Sequence, residues 1–215
     1  MIVDVNGNPI RTGELAEPQT AKVGTLQNEF ANHPSRGLTP VKLARILQDA
    51  EQGDILAQCD LFEDMEEKDA HIFSEISKRR RAPLSIPWDI EPPPAATAKE
   101  KRDAEAVKEM MQCLELEDIL FEMADAVGKA FACLEIEWGR TGNTWLPKSI
   151  SQRPQRWFRI KANTDDIRLR DNSPDGAELQ PFGWIVHEHK ARSGWLPRAG
   201  LHRVLAWPYL FKNYS

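Results

Sequence analysis

The chain has 215 residues, 41% of them hydrophobic and 28% charged, which is ordinary for a soluble globular protein of one or two domains. Its three cysteines form no Cys-x-x-Cys pair, so a disulfide framework or a zinc site is not expected, and we predict that all three are reduced, buried thiols. No apolar run reaches the length of a signal peptide or membrane span. The net charge of −5 hides an asymmetry, because residues 140–215 carry +7 and residues 1–139 carry −12. Either the two halves present different faces to partners, or they attract one another inside one fold.

The first part of the chain predicts an irregular arm followed by helices. Residues 1–37 are rich in turn-forming residues and poor in apolar ones, so they predict an extended or flexible arm that either crosses a neighbouring subunit or moves freely. Thr39 and Pro40 then mark the start of a helix that ends at Gly53. A second, long helix is predicted from Asp54 to about Lys78, with an apolar stripe on one face and a strongly acidic opposite face.

The middle of the chain predicts a strand, a linker and two more helices. Apolar and polar residues alternate over 84–91, which predicts a half-buried edge strand, and Pro92 to Pro94 predict a stiff linker. Thr97 and Glu100 match a capping box, so a helix is expected from that point. A further helix is predicted from Leu116 to Phe131, directly before a strand over 132–138.

The last third of the chain predicts β structure and a final helix. Residues 145–150 are expected to pair back on the preceding strand as a hairpin, and further strands are predicted at 157–160, 167–170 and 184–189. A helix is expected from about Gly200 to Trp207, where Pro208 would interrupt it. Helices followed by strands predict an α+β fold.

The chemistry-bearing motifs do not converge on a reaction. The sequence has no phosphate-binding glycine loop, no nucleophile elbow and no His-Glu-x-x-His motif, so we predict neither enzymatic activity nor a cofactor. His187 and His189 would share one face of a strand and are the weak candidates for metal ligands. Since the sequence offers no third ligand, we interpret them as imidazoles on a polar strand face.

Charge patterns suggest contact surfaces. The nine acidic residues between 51 and 76 favour a solvated helix face or a contact with a basic partner. Lys78, Arg79, Arg80 and Arg81 complement the dipole at a helix end, and their alternative role is contact with a phosphate backbone or another subunit. The basic second half keeps open a stand-alone nucleic-acid-binding module, whose surface would draw on these residues: Trp145, Arg153, Arg156, Trp157, Arg168 and Arg170.

Several long segments, in a fixed order, resemble one family. The helix CDLFEDMEEKDAHIFSEISKRRRA (59–82) runs into LSIPWDIEPP (84–93), and LEDILFEMADAVGKAFACLEIEW (116–138) leads from helix to strand. RPQRWFRI (153–160), the histidine-bearing strand (184–189) and LHRVLAWPYLFKNYS (201–215) follow. From about residue 38 onwards, the chain resembles the Mu-like family of tailed-bacteriophage portal proteins.

The resemblance implies a structural role. Portal proteins form a ring, expected to be dodecameric, at one capsid vertex; double-stranded DNA passes through it, and terminase, capsid or scaffold proteins and the head–tail connector attach to it. Residues 38–215 would be the wing-like α+β domain, with the stem, clip and crown absent, so that the apolar C-terminal residues would lead into a missing half. The expected location is the virion, after assembly in the bacterial cytoplasm, with no membrane partner. In a wing, Lys78 to Arg81 would contact a subunit or scaffold rather than DNA.

Overall fold

The computed structural model describes residues 9, 12–23, 26, 33–142 and 144–214, in which helices precede a β-rich segment. The fold is therefore α+β, as the order of the sequence patterns predicts. Its helices are α1 (Thr12–Leu15), α2 (Pro40–Glu51), α3 (Leu56–Lys68), α4 (Ala70–Arg81), α5 (Ala98–Gln112), α6 (Leu116–Met123), α7 (Ala126–Lys129) and α8 (Leu201–Tyr214). Its strands are β1 (Phe131–Thr141), β2 (Thr144–Arg153), β3 (Phe158–Ile160), β4 (Ile167–Leu169), β5 (Ala177–Glu178) and β6 (Trp184–Glu188).

The helical part of the core is built around α3. Helices α2, α3, α4 and α8 enclose a cluster that includes Leu43, Phe62, Met65 and Leu210, all nearly or fully inaccessible to solvent. Helix α3 is buried on several sides at once, since buried polar residues share it with the apolar stripe. This central position buries Asp60 and Asp64, whereas the sequence pattern predicted a solvated or partner-binding face; Glu67 is exposed as that pattern predicted.

The start and end of α2 are as predicted. The Thr39 side chain accepts a hydrogen bond from the backbone N–H of Lys42 at 3.2 Å, and Pro40 occupies the first helical position. Beyond the end of the helix, Gly53 has φ +99°, and a Cβ there would lie 2.1 Å from the carbonyl oxygen of Ile160. A glycine is therefore required where the helical layer meets the β segment.

The predicted long helix over 54–78 is wrong, because the structure divides it at Asp69. The Asp69 carboxylate caps a new helix by accepting hydrogen bonds from the backbone N–H groups of His71 and Ile72. It also pairs with Lys212 of α8 at 2.8 Å. The apolar stripe continues through the break, so hydrophobic spacing alone does not reveal it.

The predicted edge strand over 84–91 is also wrong. Residues 82–85 form a 3₁₀ turn, and the following residues are extended without a strand partner. The alternation of apolar and polar residues is real, but Pro83 and Pro87 flank Ile86 and remove backbone donors that a ladder would need.

The capping box at Thr97 and Glu100 is confirmed, with both of its reciprocal hydrogen bonds present. The helix predicted over 116–131 is divided in turn, with α6 ending at Met123 and β1 beginning at Phe131.

Two three-stranded antiparallel sheets form the β segment. The first has the order β2-β1-β6, and its β1–β2 hairpin confirms the predicted pairing. The second has the order β3-β4-β5, in which the two-residue β5 was not predicted and Trp157 lies in a 3₁₀ turn before β3. The apolar faces of the two sheets contact each other at Phe131 and Phe158, whose rings pack edge to face with their centroids 6.0 Å apart.

Helix α8 continues past Pro208, although the sequence predicted an interruption there. Proline at this position leaves the carbonyl of Val204 without its helical N–H donor. Val204 is 59% exposed, so water can satisfy that carbonyl. Beyond Pro208, Tyr209 and Leu210 of the helix pack in the helical core.

About half of the predicted N-terminal arm (1–37) lies outside the described residues. Within it, Gln19 and Thr20 form part of a 3₁₀ turn that is bonded to the β segment. The Thr20 hydroxyl donates to Glu135 at 2.6 Å, and the Gln19 side-chain oxygen accepts from the Trp184 indole at 2.8 Å. The division of the chain at residue 38 stays a prediction.

Candidate functional site

The most concentrated chemistry of the described residues is a buried charge network between α3, α4 and α7. Asp125 is 2% exposed, and its carboxylate lies 3.2 Å from both the Arg80 guanidinium and the Lys129 ammonium. Burial raises the pKa of Asp125, but the two cations outweigh it and hold the pKa below its usual value. Lys129 also lies 3.6 Å from Glu63, so this cation has two anionic neighbours.

His202 closes the network on the side of α8. Its ring is fully buried and stacks on Phe62 with centroids 5.4 Å apart. Its Nε2 lies 3.0 Å from the carboxylate of Glu66. Gly128 makes room for the ring, since a Cβ there would lie 2.1 Å from the Cε1 atom of His202. The imidazole therefore fills a space that only a glycine leaves open.

The acidic residues of α3 pair with basic residues of the same chain. Asp60 lies 3.7 Å from Arg156, and burial raises its pKa to about 6. Burial also raises the pKa of Asp64, but hydrogen bonds from His33, Ser35 and Lys68 outweigh it and lower the pKa to about 2.

Opposite charges on the two halves of the chain meet inside the fold. Seven of the thirteen Lys and Arg residues after position 139 lie within salt-bridge distance of an acidic residue before it. These pairs are Lys148–Glu137, Arg153–Glu135, Arg156–Asp60, Arg170–Asp54, Arg198–Glu51, Arg203–Glu51 and Lys212–Asp69. Of the two interpretations of the charge asymmetry, the structure favours attraction between the halves.

The structure separates the four members of the predicted basic cluster. Arg80 points inward to Asp125 and lies over the Phe121 ring at 4.2 Å. Lys78 pairs with Glu75 at 2.6 Å, and Arg81 lies 5.3 Å from the centre of the Phe121 ring. Arg79 is exposed. Arg80 therefore has structural partners within the chain, and a nucleic-acid or subunit contact for the four residues stays a prediction.

His187 and His189 acquire no third metal-ligating neighbour among the described residues. Burial and the neighbouring His189 lower the pKa of His187, which favours its neutral form. The structure brings a different set together, with donor atoms of His33, Asp64 and Glu67 within 4.8 Å of one another. Sequence reasoning missed this cluster because His33 is distant in sequence. Lys68 already lies 3.0 Å from Asp64, so an ion there would have to displace that ammonium group.

The cysteines show no reactive arrangement in the described structure. All three are free thiols. Cys59 and Cys133 are buried, as predicted, and burial raises the pKa of both thiols. Cys113 is exposed, so the prediction of a buried thiol is wrong for this residue.

Several large apolar side chains of the described residues are exposed, and two surfaces each carry more than one of them. One, which we call the projecting segment, comprises residues 86–94 and includes Ile86 and Trp88, which are 63% and 54% exposed. It is followed by α5, a 15-residue helix that buries none of its residues. The other is the outer side of α8, where Val204 and Phe211 are exposed and Trp207 stacks on Phe211. Exposed groups of this kind are typical of surfaces that bind other proteins.

The exposed apolar side chains favour a protein that acts through contacts with other proteins. Comparison with known proteins gives the family. The family model described as the portal protein of Mu bacteriophage matches residues 59–215. The chain belongs to this family of phage portal proteins.

Two curated relatives match along the whole chain. The Mu-like prophage FluMu protein gp29 of Haemophilus influenzae is 47% identical over 219 aligned residues, which cover 100% of this chain and 42% of the relative. The portal protein of Escherichia phage Mu is 42% identical over 216 aligned residues, again 100% of this chain and 42% of the relative. The chain therefore spans about two fifths of the length of these relatives. No helix within the described ranges is long and apolar enough to cross a membrane.

Proposed function

We propose that the protein is a structural component of a phage portal, a ring at the capsid vertex through which double-stranded DNA is packaged and ejected. The observation that carries the proposal is the full-chain similarity to the portal protein of Escherichia phage Mu. Portal proteins form a structural family rather than an enzyme family. The buried carboxylates of Asp60 and Asp125 are held in ion pairs with basic residues of the same chain.

The proposal includes the partners and the location that such a ring requires. Copies of the protein associate into a ring, which we expect to be dodecameric. Terminase, capsid or scaffold proteins and the head–tail connector bind to it in the bacterial cytoplasm during assembly, and the ring remains in the virion. The described residues form the wing-like part of the subunit.

The contacts weigh against the stand-alone nucleic-acid-binding module. Arg153, Arg156 and Arg170 pair with acidic residues of the first half, and Arg168 bonds to Asp166 and Glu178. Guanidinium groups held in this way would have to leave their partners in order to neutralise phosphates.

The test is to interrupt the coding sequence in the phage and to supply the intact gene in trans. We expect the interrupted phage to produce heads without packaged DNA, and the complemented phage to produce filled, tailed particles, as counted by electron microscopy. Filled particles from the interrupted phage would refute the proposal. Binding of duplex DNA that falls steeply with salt, together with normal particles, would instead favour the nucleic-acid-binding module.

A further inference from the structure

Asp60 differs from the other buried carboxylates because its charge is poorly compensated. It lies on α3 and is only 5% exposed. Its Oδ1 atom is enclosed and accepts no hydrogen bond from the described residues. The side-chain cation within salt-bridge distance of this atom, the Nη1 group of Arg156, lies 3.7 Å away, which is too far for a hydrogen bond. An ionised carboxylate that is buried with such incomplete pairing costs free energy, so this position favours the neutral acid.

Two further acidic residues of α3 increase this cost. Glu63 and Asp64 follow Asp60 by three and four residues, so the three side chains are neighbours on the surface of one helix. Both carboxylates disfavour a negative charge on Asp60. Lys129 of α7 lies 3.6 Å from Glu63 and neutralises that residue rather than Asp60. The charged groups that act on Asp60 are thus two anions of its own helix and one cation, Arg156, from outside it.

Asp64, one turn further along α3, shows the effect of full compensation. Burial alone would raise its pKa, but hydrogen bonds from His33, Ser35 and Lys68 outweigh burial and lower the pKa to about 2. At Asp60, burial has the larger effect and raises the pKa to about 6, because Arg156 opposes it only in part. Two aspartates four residues apart therefore respond to pH in opposite directions.

The position of Asp60 connects the two parts of the fold. Helix α3 belongs to the helical core, whereas Arg156 lies in the 3₁₀ turn at 155–157, directly before β3. Gln155 of the same turn is 1% exposed and donates a hydrogen bond to Asp125 of the buried charge network at 2.5 Å. The turn is therefore fixed against the interior, and a change of charge on Asp60 acts on the contact between the helical core and the β segment.

We propose that Asp60 is a proton-binding site that makes the contact between α3 and the turn at 155–157 sensitive to pH, so that a proton taken up in mildly acidic solution stabilises the fold. The folded protein holds this proton up to about pH 6, whereas the unfolded chain releases it near pH 3.8. Folding is therefore accompanied by proton uptake in this range, and the contribution of Asp60 to stability increases as the pH falls from 7 towards 4. This site is a property of the single chain and does not require the portal function.

The pH dependence of stability in Asp60→Asn tests the site. The substitution keeps the size of the side chain but leaves no carboxylate to protonate. Because it also removes a partner of Arg156, the informative quantity is the change with pH and not the difference at one pH. Relative to Asp60→Asn, we expect the unfolding equilibrium constant of the unmodified protein to fall at least about tenfold between about pH 7.5 and 4.5, as measured by urea unfolding. His187, whose pKa is lowered by burial, contributes to both proteins and cancels in this comparison.

Asp49→Asn is the matched control, because the Asp49 side chain is 47% exposed and lies 3.9 Å from Arg45. This substitution removes a carboxylate that water already solvates, so the pH dependence should stay that of the unmodified protein. If the unmodified protein and Asp60→Asn instead differ by the same factor at every pH in the range, the inference is overturned.

An NMR titration of the side-chain carboxyl carbons tests the site in the unmodified protein, and therefore also decides the case in which Asp60→Asn does not fold. We expect the assigned Asp60 resonance to titrate with a midpoint near pH 6. Arg156→Gln should move this midpoint to higher pH, since the guanidinium group favours the ionised carboxylate. A midpoint at or below about pH 4, the ordinary range of an aspartate, would overturn the proposal.

Discussion

Replacing Asp125 with asparagine tests whether the buried charge network stabilises the fold. The substitution keeps the size of the side chain but removes the charge that lies 3.2 Å from both Arg80 and Lys129. Loss of one partner from a buried ion pair costs about 3–5 kcal/mol, because the remaining charge stays in the interior without compensation. Two remaining contacts reduce this loss of stability, because Lys129 still lies 3.6 Å from Glu63 and Arg80 still lies over the Phe121 ring. We therefore expect a decrease of about 3 kcal/mol in the free energy of unfolding.

Urea unfolding followed by tryptophan fluorescence measures this change, with an unchanged dependence on urea as evidence that the unfolded state is unaffected. The thermal midpoint should fall by about 6–12 °C in a chain of this size. Asp49→Asn is the matched control, because the Asp49 side chain is 47% exposed and lies 3.9 Å from Arg45. If both variants unfold at the same urea concentration, the network does not stabilise the fold and the reasoning is refuted.

Three further substitutions test separate features. Gly128→Ala places a methyl group 2.1 Å from a ring atom of the buried His202, so we expect a loss of about 3 kcal/mol in a thermal melt, whereas Gly139→Ala finds its nearest neighbour at 3.5 Å and should cost much less. Asp64 has its pKa lowered from 3.8 to about 2, so its ionisation stabilises the fold above pH 4 and this contribution disappears as the pH falls towards 2. Asp64→Asn should remove about 2 kcal/mol at neutral pH and flatten the stability curve between pH 4 and 2; an unchanged acid slope in urea titrations would contradict this. Thr97→Ala removes the capping box of a helix that buries none of its residues, so hydrogen exchange should accelerate in α5 alone; a lower global unfolding midpoint would show that α5 is coupled to the core.

The local signals of the sequence predicted those elements whose structure depends on neighbouring residues. Thr39 and Pro40 start α2, and Thr97 and Glu100 start α5, because a helix cap is satisfied within a few residues of the chain. The β1–β2 hairpin is also a local pairing, and its strands were located to within a few residues. The resemblance in the order of long segments identified the family, although no single motif is chemically diagnostic.

Some of the wrongly predicted elements depend on contacts between distant parts of the chain. In another case, the described structure lacks the strand partner that the prediction required. The break at Asp69 is stabilised by Lys212 as well as by the local cap. The apolar alternation around Trp88 predicted a strand, but a strand requires a neighbour, and the described structure provides none for this segment. Helix α8 passes Pro208 because its far end packs on the helical core through Tyr209 and Leu210.

The buried charge network could not be predicted from the sequence for a related reason. The acidic run of α3 has the same composition whether it faces water, a basic partner or the basic half of its own chain. The choice depends on which residues surround α3 in three dimensions, and only the fold supplies Arg156, Lys129 and His202 to it. The opposite charge of the two halves pointed to the pairing of Asp60 with Arg156, but Lys129 belongs to the acidic half itself, and no feature of the sequence indicated its pairing.

The pairing of charges within the chain determines which groups remain for assembly. Seven basic residues of the second half already pair with acids of the first, so each of them would have to leave its partner before it could contact a second copy. Large apolar side chains are also exposed, and those of Trp88, Ile86 and Phe211 are more than half accessible to solvent. Burial of such groups would supply most of the energy of association between copies. Self-association of the protein should therefore weaken only slightly as salt increases, because salt screens exposed charges but leaves apolar burial intact.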